Sequence, residues 1–313
     1  MTTAFTFPGQ GSQAVGMGKA LAEAVPAARA VFEEVDAALG QKLSALMWDG
    51  PEAELTLTEN AQPALMAVSL AALRALEAEG VRIGGAVAYV AGHSLGEYSA
   101  LAAAGSLTIA DAARLLKIRG RAMQAAVPVG EGAMAALLGL DFATATEVAA
   151  AAAENEVCQA ANDNADGQVV VSGSKAAVER AVALAKARGA KRAMLLNVSA
   201  PFHCALMQPA ADAMAAALAE VDLKAPIVPL ISNVLAAPIN DPDEIRRRLV
   251  EQVTGTVRWR ESVQWLAANG VTRLVEIGSG KVLTGLVKRI ADGVEGLAVN
   301  TPDDVAKAAA ALA

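Results

Sequence analysis

The first apolar run, residues 4–7, is short and ends at Pro8-Gly9, the pattern of a buried strand halted by turn residues. Apolar positions then recur at helical spacing from residue 17 to 39, which predicts a helix there. A second helix is predicted over residues 62–80, with Leu65, Val68, Ala72, Leu73 and Leu76 on one face. Residues 86–91 form an unbroken apolar stretch that reads as a buried strand. It runs straight into Gly92-His93-Ser94-Leu95-Gly96, and helical patterning resumes near Glu97. Strand, tight turn and helix in that order point to an α/β protein.

The middle of the chain has shorter elements. Strands are predicted over 132–140, 157–162, 168–172 and 193–198, with helices over 143–153 and 175–188. The order βαββαβ is that of a ferredoxin-like unit. It is expected to be a small subdomain, residues 128–198, inserted into a core built from residues 1–127 and 199–313. The core resumes with a helix over 204–221 and strands near 227–232 and 273–277.

Composition narrows the picture. Of 313 residues, 54% are hydrophobic but only 3% aromatic, so the core must be largely Ala, Leu and Val. A net charge of −7 argues against general nucleic-acid binding, which leaves a basic footprint. Cys158 and Cys204 have no metal or disulfide spacing, which fits a reducing compartment. The first residues lack the basic and apolar regions of a signal peptide, and charges interrupt the Ala-rich segments. The expectation is a cytoplasmic protein without a membrane span, a metal site or a nucleic-acid partner.

Candidate chemistry centres on Gly92–Gly96, which matches G-x-S-x-G. That pattern needs a sharp strand-to-helix turn that lifts the serine oxygen out of the sheet, with small residues two places either side. The following helix start would favour an oxyanion, and the Leu95 N–H would be one donor to it. The chain has two histidines. His93 adjoins Ser94 and points to the other side of an extended strand, so a serine–histidine pair requires His203. No acid between serine and histidine stands out among Asp111, Asp141, Asp163 and Asp166, and a carbonyl could orient the imidazole instead.

Other motifs are weaker. Gly9, Gly11 and Ala14 satisfy a loose dinucleotide pattern, but the required second strand is replaced by helix containing Glu33 and Glu34. The alternative is a second backbone donor, from Gln10, facing the oxyanion. Gly278-Ser279-Gly280-Lys281 has the wrong spacing for a phosphate loop, with Val282 where Ser or Thr is required, and reads as a structural turn. One of Arg114, Arg119 and Arg121 could reach the pocket and grip a carboxylate, although spacing does not select which.

Six segments together carry a resemblance: FPGQGSQ (7–13), GHSLGEY (92–98), IRGRAMQ (118–124), NDNADGQVVVSG (162–173), PFHCALM (201–207) and GSGKVLTGL (278–286). Through nearly the whole chain the sequence resembles the malonyl-CoA:acyl carrier protein transacylases of bacterial type II fatty acid synthesis. The resemblance implies an α/β-hydrolase-like core with a ferredoxin-like insertion. It implies that Ser94 is acylated, that His203 is base and then acid, and that the Gln252 backbone carbonyl orients His203. Gln10 and Leu95 would form the oxyanion hole. Arg119 would hold the malonyl carboxylate, with Phe202 and Asn162 also lining the substrate site; Phe202 suggests malonyl rather than a branched unit. No bound cofactor is implied. Malonyl-CoA would be a substrate, and the partner an acyl carrier protein bearing phosphopantetheine. That partner is acidic, so Lys191, Arg192, Lys281, Lys288 and Arg289 are docking candidates. The chain is expected to act as a monomer. A polyketide-pathway acyltransferase and a serine thioesterase or hydrolase are the alternatives. Ser279 departs from the proline frequent at that position, which affects only the turn.

Overall fold

The computed structural model describes residues 1–85 and 87–312. The predicted strand start at Ala86 lies outside them. Among the described residues, ten strands form two sheets: β1 (Thr2–Phe7), β2 (Val87–Gly92), β3 (Gly132–Leu138), β4 (Cys158–Ala165), β5 (Gln168–Ser174), β6 (Arg192–Leu195), β7 (Leu230–Ser232), β8 (Ala237–Ile239), β9 (Val271–Ile277) and β10 (Glu295–Val299).

The larger sheet has the order β10-β9-β1-β2-β7-β8. Its first five strands run parallel, and only β8 is antiparallel to its neighbour. Helices cover both faces of such a sheet, so its inner strands are apolar runs rather than alternating ones. β1 is an example, buried from Thr3 to Phe7. The helix Thr58–Ala78 is almost entirely buried, which its small alanines permit without crowding.

The smaller sheet is wholly antiparallel, in the order β4-β5-β3-β6. With helices Phe142–Ala153 and Lys175–Ala187 it has ferredoxin-like topology, as the βαββαβ order predicted. One face packs under those helices through Leu137, Val169 and Val171. The other, through Met134, Ala161 and Val170, joins the main core. The functional cleft lies on that second side.

Two predicted helices are divided. The one expected over 17–39 is two helices, Lys19–Ala24 and Pro26–Leu39. Val25 between them is extended, because a residue before proline is driven out of the helical region. The one expected to begin at Cys204 starts with a single 3₁₀ turn, Ala205–Met207, and becomes α-helical only at Gln208–Ala219. Pro209 sits in its first turn, where a missing N–H costs nothing. Among the described residues, no helix is long and apolar enough to cross a membrane.

Candidate active site

β2 ends at Gly92, and helix Gly96–Ala103 begins four residues later. The turn between them forces Ser94 to φ +53°, a left-handed conformation that costs a non-glycine residue energy. A Cβ on Gly92 would lie 1.9 Å from the Gly96 carbonyl, and one on Gly96 would lie 2.3 Å from the Phe7 oxygen. Only glycine fits at either place. Asn233 clamps the kink: its Oδ1 accepts from the Ser94 N–H at 2.8 Å and its Nδ2 donates to the Gly92 carbonyl at 2.7 Å. Two bonds from one amide thus hold the strained turn.

That turn presents the half-buried Ser94 hydroxyl to the cleft. Its Oγ lies 2.7 Å from His203 Nε2, and His203 Nδ1 lies 2.8 Å from the Gln252 backbone oxygen. A carbonyl only accepts, so Nδ1 carries the proton and Nε2 is free to take one from Ser94. Gln252 is in the last turn of helix Pro242–Thr254, where carbonyls lack intrahelical partners. His203 satisfies one of these, and the negative helix end favours the imidazolium it becomes. His203 is itself at φ +59°, directed inward by the Pro201-Phe202 loop. Burial, with the Arg119 charge nearby, pulls its pKa down to about 3. The imidazole is therefore neutral at neutral pH, with Nε2 unprotonated.

The second partner of the Ser94 hydroxyl, and a donor to it, is Arg119. Its Nη2 reaches Ser94 Oγ at 3.1 Å and Gln252 Oε1 at 2.8 Å, and its Nη1 donates to Gln62 Oε1 at 2.7 Å. The side chain is 1% exposed, and its Nε has no partner among the described residues. A buried guanidinium touching a nucleophile favours the alkoxide and leaves a positive centre for an acyl group bearing an anion.

Ser94, His203, Arg119 and Gln62 line one cleft of about 330 Å³. Gln10, Leu95, Asn162, Phe202 and Met123 also face it. Among the described residues neither the Gln10 nor the Leu95 backbone N–H has a protein partner, so both remain available to an oxyanion. The Gly9–Gly11 loop is therefore part of this cleft. No strand follows it until β2, which removes the dinucleotide reading. Gly278 packs on Pro8 and Ser69, and Ser279 Oγ donates to the Ser12 carbonyl at 2.6 Å. The helix start beyond this turn is already filled by the Glu276 carboxylate, which accepts from the Leu283 and Thr284 N–H groups. No phosphate loop exists here.

His93 does not face Ser94. Its Nε2 is 2.8 Å from Asn164 Oδ1 and its ring lies 5.7 Å from that of Trp259. Of the cations on helix Ile109–Ala126, only Arg119 reaches the cleft; Arg121 and Lys117 pair with Glu59, and Arg114 with Asp111. Sequence reasoning missed Asn233, Glu97 and Gln62. Glu97 was visible in the GHSLGEY run, whereas nothing near Asn233 marks it as a clamp. Among the described residues, no group of three or more His, Cys, Asp or Glu could hold a metal ion.

Comparison with known proteins decides the family: residues 4–305 match the acyl transferase domain. The chain belongs to that family. It is 50% identical to the malonyl CoA-acyl carrier protein transacylase of Escherichia coli K12, over 97% of this chain and 98% of that protein. It is 48% identical to the protein of the same name from Bacillus subtilis, over 96% and 94%. The crystal structure of acyl-carrier-protein-S-malonyltransferase from Bartonella henselae superposes with a TM-score of 0.98 at 59% identity, covering 100% of this chain and 99% of that one. A chain from a type II PKS acyl-carrier protein in complex with its malonyl-transacylase gives 0.96 at 44% identity, covering 99% and 100%. As a member of the acyl transferase family, the chain is an acyltransferase with a mixed α/β fold.

Proposed function

We propose that this acyltransferase moves the malonyl group of malonyl-CoA to the phosphopantetheine thiol of an acyl carrier protein, supplying fatty acid synthesis. The observation that carries the reading is the Ser94–His203 pair with a buried Arg119 on the same oxygen. In the first half, the malonyl carboxylate meets Arg119. His203 Nε2 takes the Ser94 proton as Oγ attacks the thioester carbonyl. The Gln10 and Leu95 N–H groups hold the resulting oxyanion; one such donor is typically worth about 10²–10³ in rate. The C–S bond breaks and coenzyme A leaves with the proton from His203. In the second half the carrier thiol gives its proton to His203 and attacks the malonyl-serine ester, and Ser94 recovers the proton as it departs.

Phe202, Asn162 and Met123 would bound the acyl chain. An esterase of neutral acyl groups would bury the Arg119 charge with no substrate anion to meet it. The cleft is complete within one chain, which supports action as a monomer. Residues 1–127 and 199–313 would carry the catalytic groups, and 128–198 the wall of the cleft.

A basic docking patch for the acidic carrier is supported by where the candidates fall. Arg289 Nη2 donates to the Asp166 carbonyl in the β4–β5 turn at 3.1 Å. Gly139 donates to Gly167 of that turn at 2.8 Å, and Lys191 packs against Gly139. Lys191, Arg192, Lys288 and Arg289 would thus gather round one hairpin tip, with Lys281 at the other end of the Arg289 helix.

The test is to mix the protein with malonyl-CoA and holo carrier protein and weigh the carrier. Malonyl-carrier formed in preference to free malonate supports transfer. Free malonate released at the same rate without any thiol acceptor supports a hydrolase instead.

A further inference from the structure

Glu97 is buried beneath the nucleophile, 1% exposed, in the first turn of helix Gly96–Ala103. One carboxylate oxygen accepts from the Asn233 backbone N–H at 2.6 Å. The other accepts from Gln252 Nε2, in a short contact. The same Nε2 donates to the Ser94 carbonyl at 2.9 Å. The opposite end of that amide, Gln252 Oε1, receives Arg119 Nη2. A primary amide has one donor end and one acceptor end. Its direction here is set by what faces it: an acceptor on the Glu97 side and a cation on the Arg119 side. The Gln252 backbone, meanwhile, orients His203. One residue therefore joins the base, the nucleophile and the cation, and Glu97 fixes its side chain.

We propose that Glu97 is a positioning residue of acyl transfer: its carboxylate dictates which end of the Gln252 amide meets Arg119, and so holds the guanidinium against Ser94, where the acyl carboxylate arrives. The proposal rests on the reading of Arg119 given above. Neither oxygen of Glu97 is free in this arrangement. An acid proton on the oxygen facing Gln252 Nε2 would set donor against donor. The amide would then have to reverse and present its NH₂ to the Arg119 guanidinium, also a donor, which would move aside. The carboxylate further offsets the Arg119 charge through Gln252 in the free protein, where both groups are out of water.

The ionisable groups facing Glu97 are Arg119 from helix Ile109–Ala126 and Tyr98 beside it, with His203 beyond Ser94. Burial pushes the Glu97 carboxyl up to about 8, opposed by the Asn233 N–H, the Gln252 amide and Arg119. Burial also raises the Tyr98 hydroxyl, so Tyr98 stays neutral. His203, held down to about 3, stays neutral across the same range. Glu97 is then the group that titrates in the working range. Its ionised, ordering form grows as pH rises.

The experiment measures single-turnover acylation of Ser94 by malonyl-CoA and by acetyl-CoA, a probe without the carboxylate. It uses the intact wild type, Glu97→Gln and Glu97→Asp between pH 6 and 10. The expected wild-type result is a malonyl-to-acetyl ratio of kcat/KM that climbs with one ionisation over roughly pH 7–9, a window about one unit either side of the midpoint. In Glu97→Gln the ratio should fall by about tenfold or more, through KM for malonyl-CoA rather than kcat for acetyl transfer, and lose its pH dependence. Glu97→Asp should recover part of the ratio and its climb. A wild-type ratio that is flat from pH 6 to 10 would overturn the proposal without any variant, even should Glu97→Gln fold poorly. So would a folded Glu97→Gln protein with the wild-type ratio and profile. Failure of the functional reading is distinct: wild type would then take no malonyl group on Ser94 at any pH.

Discussion

Replacing Arg119 with alanine separates two jobs that the structure gives one side chain. The guanidinium touches Ser94 Oγ at 3.1 Å, a contact that every acyl donor would feel. It is also the buried cation that would receive the malonyl carboxylate, which only malonyl would feel. The ratio of malonyl to acetyl kcat/KM cancels the first and keeps the second. A hydrogen bond to a charged group contributes about 1.5–3 kcal/mol. At about 1.36 kcal/mol per decade, the ratio should fall roughly 10- to 150-fold. Arg119→Lys should recover little, because an ammonium is a point charge and cannot span Gln62, Gln252 and a carboxylate together. The assay is the burst of coenzyme A released on acylation, with thermal melting to confirm that each variant is folded. A ratio within about threefold of wild type would remove Arg119 from carboxylate recognition, since even the weak end of that range is tenfold.

Further expectations concern the elbow, pH and docking. Gly96→Ala places a methyl 2.3 Å from the Phe7 oxygen, between backbone segments that cannot retreat. It should cost on the order of 3 kcal/mol or more in urea unfolding, and an unchanged midpoint would contradict the geometry of the turn. His203 has an ordinary value of 6.5 and is held to about 3 in the fold. Between those values the unfolded chain binds a proton that the folded one does not, so the contribution of the neutral ring to stability is complete above about pH 6.5 and is lost as pH falls toward 3. Urea midpoints should drop over that interval, and drop less in His203→Gln; equal drops would show that the ring is not held neutral. Reversing charge at Lys191, Lys281 and Lys288 should raise KM for the carrier protein several-fold and leave Ser94 acylation by malonyl-CoA intact. Arg289 is spared because it binds Gln168 and Asp166 within the fold. No change in that KM would reject the patch.

The outline of the fold was legible because β1, β2 and β5 are apolar runs bounded by glycine or proline, and because β2 enters the elbow without a break. The ferredoxin-like order was readable from the alternation of short strands with two helices, although β4 itself is half polar. Helix interruptions were harder. Val25-Pro26 splits a continuous apolar stripe through local backbone sterics, which periodicity does not register. At the site, Ser94 and His203 followed from motif and from counting histidines. The residue that orients His203 did not, because the acceptor is a backbone oxygen, and every residue has one. Resemblance supplied Gln252, and geometry then explained it as an unpaired helix-end carbonyl. Asn233 and Glu97 act through contacts more than 130 positions apart in the chain. Such pairings exist only once the sheet brings β2 beside β7.

The most direct test is the intact mass of the protein after brief mixing with malonyl-CoA alone. Wild type should gain the mass of one malonyl group, a peptide map should place it on Ser94, and Ser94→Ala should gain nothing. A malonyl adduct on Ser94→Ala, or a wild-type adduct on any other residue, would contradict the account.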